Sequence, residues 1–207
     1  MKNLFQSLKS VVWLIITAST IASCSGSSDS NTETTVSSES TMDTASAMNM
    51  ESHTDSMKEH AVAELTGVFP DTTVTGAVHF DAQADGKVKM KLDITIPAKA
   101  NKSVAVHIHE MGDCGDMAKA AGGHWNPTNA NHGKWGSSSF HSGDIGNVSL
   151  DANGKGSMEM ETDLWSLGGD AKTNILNRSI MVHGGVDDFT SQPSGNAGTR
   201  IGCGMIK

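Results

Sequence analysis

Six histidines and one aspartate in this chain fall at spacings typical of metal ligands. The segment V-A-V-H-I-H places His107 and His109 on one face of a strand and three β-branched residues on the other, because alternate strand residues share a face. The other members of the set are His124, His132, His141, Asp144 and His183. Neutral imidazole suits copper and zinc alike, and three imidazoles with one carboxylate suit tetrahedral zinc. The set is therefore large enough for two metal ions.

The residues around these ligands resemble those of the copper–zinc superoxide dismutases. The shared motifs are H-I-H, G-G-H-W-N-P, H-S-G-D-I-G-N, I-M-V-H-G-G-V-D-D and G-N-A-G-T-R-I-G-C-G, which together cover roughly residues 74–206. A lone histidine is more often a turn or core residue, but here all the ligand positions are filled in register. Cys114 follows His109 by only five residues, and this short interval is similar to the bacterial periplasmic branch of the family.

The resemblance implies a role for each of these residues. The copper ligands would be His107, His109, His124 and His183. The zinc ligands would be His124, His132, His141 and Asp144, so His124 would bridge the two metals. Asp187 would hydrogen-bond one histidine of each metal and fix its tautomer. Arg200 would hold the anionic substrate, superoxide, beside the copper.

By the same resemblance, copper would alternate between Cu(II) and Cu(I) and dismutate superoxide to dioxygen and hydrogen peroxide. His124 would leave copper on reduction, take up a proton and return it to the second substrate. Two other functions are a periplasmic copper-buffering lipoprotein and a surface lipoprotein that uses the domain only for binding. Arg200 and the complete zinc set argue against the first, and the full ligand set argues against the second.

The N-terminus has the organisation of a bacterial lipoprotein signal. Residues 1–23 carry Lys2 and Lys9 ahead of an apolar run that is too short for a permanent membrane span. The following I-A-S-C resembles a lipobox, in which cleavage leaves Cys24 as the lipidated N-terminus. The alternative is an ordinary cleavable signal with an incidental cysteine. Lipidation of Cys24 would anchor the protein in the cell envelope, at the outer membrane facing the periplasm.

Residues 24–60 are predicted to form a disordered tether, because Ser, Thr and Met dominate and no apolar periodicity is present. The segment contains Met42, Met48, Met50, His53, Met57 and His60. Thioethers and imidazoles bind copper, Cu(I) especially. Their spacing is irregular, so a simple spacer is favoured over a copper-gathering tail.

Residues 61–207 are predicted to form one all-β domain. Apolar residues alternate without a fault from Val88 to Ile96, and D-A-N-G between Val148/Leu150 and Met158/Met160 predicts a hairpin. Such short alternating strands favour a sandwich or flattened barrel. The resemblance specifies a Greek-key barrel of eight antiparallel strands. The stretch from Glu110 to Asp144 shows no regular element, so metal ligands and a disulfide would have to hold it.

Three cysteines are an odd number for an exported chain. Lipidation of Cys24 would leave Cys114 and Cys203, which both occupy positions of the disulfide in the resembled family. That bond would clamp the loop before His124 onto the strand that carries Arg200.

The predicted domain is acidic, with 12 Lys and Arg against 16 Asp and Glu. Its lysines form no basic stripe, so nucleic acid is not an expected partner. Attraction of an anion to such a domain needs a local positive field. Arg200 is the main candidate for this field, and Lys134 in the zinc loop is the other. The sequence leaves the oligomeric state open, a homodimer included.

Overall fold

The computed structural model describes residues 57–207. The predicted signal peptide, Cys24 and residues 25–56 of the predicted tether lie outside the described residues. Within residues 57–207, no helix is long and apolar enough to cross a membrane. The first strand begins at His60, the last residue of the predicted tether. The ordered β-structure thus starts one residue before the predicted domain boundary.

Eight antiparallel strands form one sheet that curls into a nearly closed barrel, which confirms the predicted all-β fold. In chain order the strands are β1 His60–Gly67, β2 Thr75–Ala82, β3 Val88–Thr95, β4 Ser103–His109, β5 Gly146–Ser149, β6 Lys155–Thr162, β7 Ser179–His183 and β8 Arg200–Met205. Two 3-10 turns, Pro97–Lys99 and Lys119–Ala121, interrupt the loops. The strand order in the sheet is β5-β4-β7-β8-β1-β2-β3-β6. Strand β3 therefore pairs with β6, and β4 pairs with β7, so the connections skip neighbours as in a Greek key.

The inward faces of the strands fill the barrel. Val88, Met90, Leu92 and Ile94 on β3 are all buried, as their alternation predicts. Trp165 lies among them and packs edge-on against Phe80 at a centroid distance of 5.9 Å. Each buried side chain of this size contributes about 1.5–3 kcal/mol relative to exposure. The barrel core therefore consists of ordinary apolar packing.

The predicted D-A-N-G hairpin is wrong in its pairing. The turn itself forms, since the Asp151 carboxylate accepts the N–H of Asn153 and of Lys155, each at 2.8 Å. However, β5 pairs with β4 and β6 pairs with β3, at opposite ends of the strand order. The turn joins the two ends of the sheet where the barrel nearly closes. Alternation identified both strands correctly but contains no information about their partners.

Candidate metal centre

The structure brings the six predicted histidine ligands and Asp144 together into two adjoining clusters of buried side chains. The first cluster, called the copper cluster below, consists of His107, His109, His124 and His183. The second, called the zinc cluster, consists of His124, His132, His141 and Asp144. Within each cluster, the candidate ligand atoms lie within 4.8 Å of one another. The two clusters coincide with the two predicted ligand sets and share His124.

Three neighbouring segments of backbone build the copper cluster. Strand β4 supplies His107 and His109, and its neighbour β7 ends in His183 after an irregularity in register between Val182 and His183. An isolated bridge pairs His109 with His124, which brings the loop histidine alongside the strand. The cluster is therefore positioned by the barrel on one side and by the long loop on the other.

Two of the copper-cluster rings are held by backbone carbonyls. His109 Nδ1 donates to the Gly122 carbonyl at 3.0 Å, and His183 Nδ1 donates to the Gly198 carbonyl at 3.2 Å. These bonds place the ring protons on Nδ1 and leave both Nε2 lone pairs free. The two Nε2 atoms face each other at 3.4 Å. Two lone pairs this close are compatible with a cation between them.

Asp144 organises the zinc cluster. Its Oδ1 lies 2.8 Å from His124 Nδ1 and 3.1 Å from His141 Nδ1, and its Oδ2 lies 3.0 Å from His132 Nδ1. Backbone N–H groups of Gly133 and His141 donate to Oδ2 at 3.1 and 2.8 Å. The carboxylate is thus fixed in the middle of three imidazole nitrogens, the donor set of tetrahedral zinc.

Buried ring nitrogens that lack a hydrogen-bond partner indicate whether metal ions fit the site. Three buried ring nitrogens have no hydrogen-bond partner within residues 57–207: His107 Nδ1, His124 Nε2 and His132 Nδ1. An uncompensated buried polar atom costs about 1–3 kcal/mol, so such atoms need a partner. All three belong to the copper and zinc clusters, where metal coordination would satisfy them. The residues present therefore fit a copper ion with four nitrogen ligands and a zinc ion with three nitrogens and a carboxylate.

Burial keeps the ligands in the form that binds metal. Desolvation lowers the pKa of His109 to about 2, of His183 to about 3 and of His124 to about 4. Burial alone would raise the pKa of Asp144, but hydrogen bonds from His124 and His141 outweigh it and hold the pKa well below its usual range. At neutral pH these three imidazoles are neutral and this carboxylate is charged, as metal ligation requires.

Asp187 joins the two clusters from outside. Its Oδ2 lies 2.8 Å from His107 Nε2, its Oδ1 lies 2.9 Å from His132 Nε2, and Oδ1 also accepts the N–H of Phe189 at 2.7 Å. Gly195 packs so closely that a Cβ there would come within 1.8 Å of Oδ1, which excludes any side chain at that position. The carboxylate thus contacts one histidine of each cluster, as predicted for it. The neighbouring Asp188 instead bonds the exposed Thr190–Ser191 turn.

A disulfide joins Cys114 to Cys203 and closes the predicted pair. The loop that follows Cys114 turns its carbonyls toward Arg200, whose Nη1 donates to Ala118 at 2.5 Å and whose Nη2 donates to Gly122 at 2.6 Å. The Gly122 carbonyl is the same one that holds His109. One carbonyl on the disulfide-bonded loop therefore positions both a copper-cluster histidine and the predicted substrate arginine.

A cleft of about 560 Å³ opens onto the copper cluster. His109, His124, His183 and Arg200 all line it. Among the described residues that line this cleft, Arg200 is the only lysine or arginine, and Glu110 is the only acidic residue. Lys134 is exposed and lies outside the lining. Since arginine keeps its charge in proteins, the cleft presents a half-buried cation to a small anion.

Two supporting contacts escaped the sequence prediction. The Gln192 side chain clamps the backbone of His132, accepting its N–H at 2.8 Å and donating to its carbonyl at 2.9 Å. The Asn147 side chain likewise accepts the N–H of Asp187 and donates to the Asp187 carbonyl, each at 2.9 Å. Asn147 belongs to the H-S-G-D-I-G-N motif, which was a signal for its importance. Gln192 lies in no quoted motif, and 60 residues separate it from its partner.

Trp125 links the two clusters through its backbone. Its N–H donates to the Ile108 carbonyl at 2.8 Å, and its own carbonyl accepts the N–H of Gly143 at 3.0 Å. The Arg178 guanidinium lies 4.3 Å above the Trp125 ring. Trp125 therefore fixes strand β4, the neighbouring His124 and the segment that leads to Asp144 relative to one another.

Comparison with known proteins adds five similarities. Residues 74–206 match the family model for copper/zinc superoxide dismutase. The chain is 38% identical over 152 residues to the Cu-Zn superoxide dismutase of Paramecium bursaria Chlorella virus 1, covering 70% of this chain and 76% of that one. It is 37% identical over 153 residues to that of Yarrowia lipolytica, covering 70% and 96%. It is 35% identical over 130 residues to a Cu-Zn superoxide dismutase of Aquifex aeolicus, covering 60% and 76%. A crystal structure of the clock protein EA4 superposes with a TM-score of 0.66 at 31% identity, over 74% of this chain and 97% of the other.

Proposed function

The chain belongs to the copper/zinc superoxide dismutase family, and from that premise we propose how and where it acts. It is a superoxide dismutase that converts superoxide to dioxygen and hydrogen peroxide. The observation that carries this conclusion is that the copper cluster opens, beside the half-buried cation Arg200, into one cleft of about 560 Å³. A copper buffer would need the copper cluster but neither the arginine nor the zinc cluster.

Different residues bind the substrate and hold the proton. Copper held by the copper cluster would supply the one-electron redox chemistry, and the zinc cluster, which shares His124, would hold zinc. Arg200 binds the anion, because two of its five N–H groups are used on carbonyls and the others remain for substrate. His124 lines the cleft, and its buried Nε2, which has no hydrogen-bond partner among the described residues, is the atom at which a proton is held and released. Asp187 keeps His107 and His132 in the tautomer whose Nδ1 is free for metal.

The test is turnover of superoxide by the purified chain loaded with copper and zinc, compared with the same protein after chelation and after reloading. Activity that disappears with the metals and returns with them supports the enzyme. Stoichiometric copper binding without turnover would establish the copper buffer instead.

The location of this activity is a proposal from the sequence. We infer that residues 1–23 are removed as a lipoprotein signal and that lipid on Cys24 anchors the chain in the cell envelope, as in the bacterial periplasmic branch. The I-A-S-C tetrapeptide and the short interval from His109 to Cys114 support it. Two acyl chains suffice for stable membrane attachment where one does not. A homodimer stays a prediction, to be measured by analytical ultracentrifugation.

The anchor is tested by cell fractionation. Cys24→Ser should move the protein from the membrane fraction to the soluble fraction and leave its dismutase activity per copper unchanged. A wild-type protein that is soluble, with its N-terminus at another residue, would refute the lipoprotein assignment. It would leave the dismutase assignment untouched, because the two rest on different parts of the chain.

A further inference from the structure

A separate pair of histidines lies on the outer surface of the barrel. Of the eight histidines in residues 57–207, six form the copper and zinc clusters, and the other two, His60 and His79, lie side by side. His60 is on β1 and His79 is on β2, and β8 separates these strands from β7 and β4, which carry the copper-cluster histidines. No step of the dismutase reaction uses this pair.

The strand register places the two rings on one face. In the antiparallel ladder, His60 is opposite Asp81, and Val62 is opposite His79. Residues two apart on a strand share a face, so His60, His79 and Asp81 all project outward. The ring centroids of the two histidines are 5.5 Å apart, and the ring planes are inclined by only 32°. Both rings are at least partly accessible to solvent, so small side-chain rotations can direct their nitrogens at a shared ion.

Asp81 prepares His60 for a metal. Its Oδ1 lies 2.7 Å from His60 Nδ1, which fixes the ring proton on that nitrogen and leaves the Nε2 lone pair free. Metal-binding histidines commonly present one nitrogen to the metal while the other donates to a carboxylate. The same arrangement occurs in the copper cluster between His107 and Asp187.

The charges around the pair do not oppose a cation. The neighbouring strand β3 places Lys91 opposite His79 and Lys89 opposite Asp81. Each ammonium group is turned toward a carboxylate, with Lys89 at 3.2 Å from Glu159 and Lys91 at 3.6 Å from Asp93. Neither lysine therefore pairs with the Asp81 carboxylate, which remains bonded to His60.

We propose that His60 and His79 bind one transition-metal ion on the barrel surface, with Asp81 orienting His60. Two imidazoles and an open outer face suit Cu(II) and Zn(II), and nitrogen ligands favour Cu(II) over Zn(II) in the usual order of divalent-metal affinity. With only two protein ligands, the ion keeps water in its other positions and exchanges freely, unlike an ion enclosed in the buried clusters.

The experiment uses the purified chain with its copper and zinc clusters already filled. Cu(II) is added and followed by calorimetry and by electron paramagnetic resonance, and Zn(II) is added in a parallel titration. The number of additional Cu(II) ions per chain should fall by one in the double variant His60→Ala/His79→Ala, and Zn(II) should bind the same site more weakly. Dismutase activity should be unchanged in this variant, which shows that the fold and the catalytic clusters are intact.

A matched pair of variants tests Asp81. Asp81→Asn should weaken Cu(II) binding by about ten-fold or more, the usual cost of losing a carboxylate behind a histidine ligand. Glu64→Gln removes the same charge from the same outward face of β1 without contacting either histidine, and should weaken binding far less. Equal losses would show that the negative charge alone attracts the ion and would overturn the role of Asp81. An unchanged number of extra ions in the double histidine variant would overturn the site.

Discussion

Replacing Asp187 by asparagine should remove copper selectively, because the two carboxylate oxygens are not equivalent. Oδ1 accepts two hydrogen bonds, from His132 Nε2 and from the backbone N–H of Phe189, whereas Oδ2 accepts one, from His107 Nε2. Phe189 can only donate, so the asparagine must keep its oxygen at the Oδ1 position. Its NH2 group then faces His107.

The consequence is a tautomer change in one ring. To accept a hydrogen bond from the amide, His107 must present a lone pair at Nε2 and carry its proton on Nδ1. That nitrogen is the one without a hydrogen-bond partner among the described residues, and it belongs to the copper cluster. His132 keeps its original tautomer, and with it the zinc cluster is preserved.

The expected loss of copper affinity is about 10–100-fold, the range found when the hydrogen-bond partner of a histidine ligand is removed. This corresponds to about 1.4–2.8 kcal/mol, at about 1.4 kcal/mol per factor of ten. Copper and zinc are measured separately by competition with a chromophoric chelator. Asp188→Asn is the matched control, because this adjacent carboxylate bonds the exposed residues Thr190, Ser191 and Asn196 and no histidine, so the variant should retain both metals.

Three outcomes would contradict this reasoning. Loss of zinc with copper retained would mean that the amide adopts the opposite orientation. Equal loss of both metals would mean that Asp187 acts through local packing instead of through the histidine tautomers. Unchanged affinity for both metals would remove Asp187 from the metal site altogether.

Three further predictions concern the catalytic residues. His124→Ala should abolish dismutation and weaken zinc retention, whereas His183→Ala should mainly lose copper; metal analysis and turnover distinguish the two, and full activity of His124→Ala would refute the bridge. Arg200→Ala should lower the second-order rate at low salt and Arg200→Glu should lower it further, and both effects should shrink as the Debye length falls from about 30 Å at 0.01 M to about 8 Å at 0.15 M. Pulse radiolysis with copper content checked measures this, and equal low-salt rates for wild type and Arg200→Glu would exclude steering by Arg200. In the metal-free protein, the lowered pKa values of His109, His183 and His124 mean that the unfolded chain binds more protons below pH 6.5. The free energy of unfolding should therefore be highest above pH 6.5. At pH 5 it should be lower than that maximum by about 2 kcal/mol for each of these three histidines. Urea unfolding at pH 5 and pH 8 tests it, and equal midpoints would contradict it.

The sequence predicted those parts of the fold that leave a strong local signal. Val88 to Ile96 alternates large apolar residues, and its strand was predicted correctly. Strand β1 was missed because its inward residues include Ala61 and Ala63, whose small side chains make a weak apolar pattern. The resemblance specified eight strands, but no apolar alternation pointed to this one.

Long-range contacts left no such signal. The pairing of β6 with β3, instead of with β5 across its own turn, depends on how the whole sheet curls. The clamps of Gln192 on His132 and of Asn147 on Asp187 join residues that are 60 and 40 positions apart. Ligand identity could be predicted because metals select residue types. The supporting contacts could not, because amide side chains serve many purposes.

The loop from Glu110 to Asp144 shows how one segment without strands can be held in a definite shape. It contains only one short 3-10 turn, Lys119–Ala121, so sheet ladders do not stabilise it. Its fastenings are the disulfide at Cys114, the histidine and aspartate ligands of both clusters, and the backbone bonds of Trp125 to Ile108 and Gly143. The Gly122 carbonyl ties these together, since it accepts hydrogen bonds from both His109 and Arg200. Apart from Trp125, the buried apolar residues of the barrel core come from outside this loop. Loss of the metals or of the disulfide should therefore disturb the cleft, including the position of Arg200, before it disturbs the barrel.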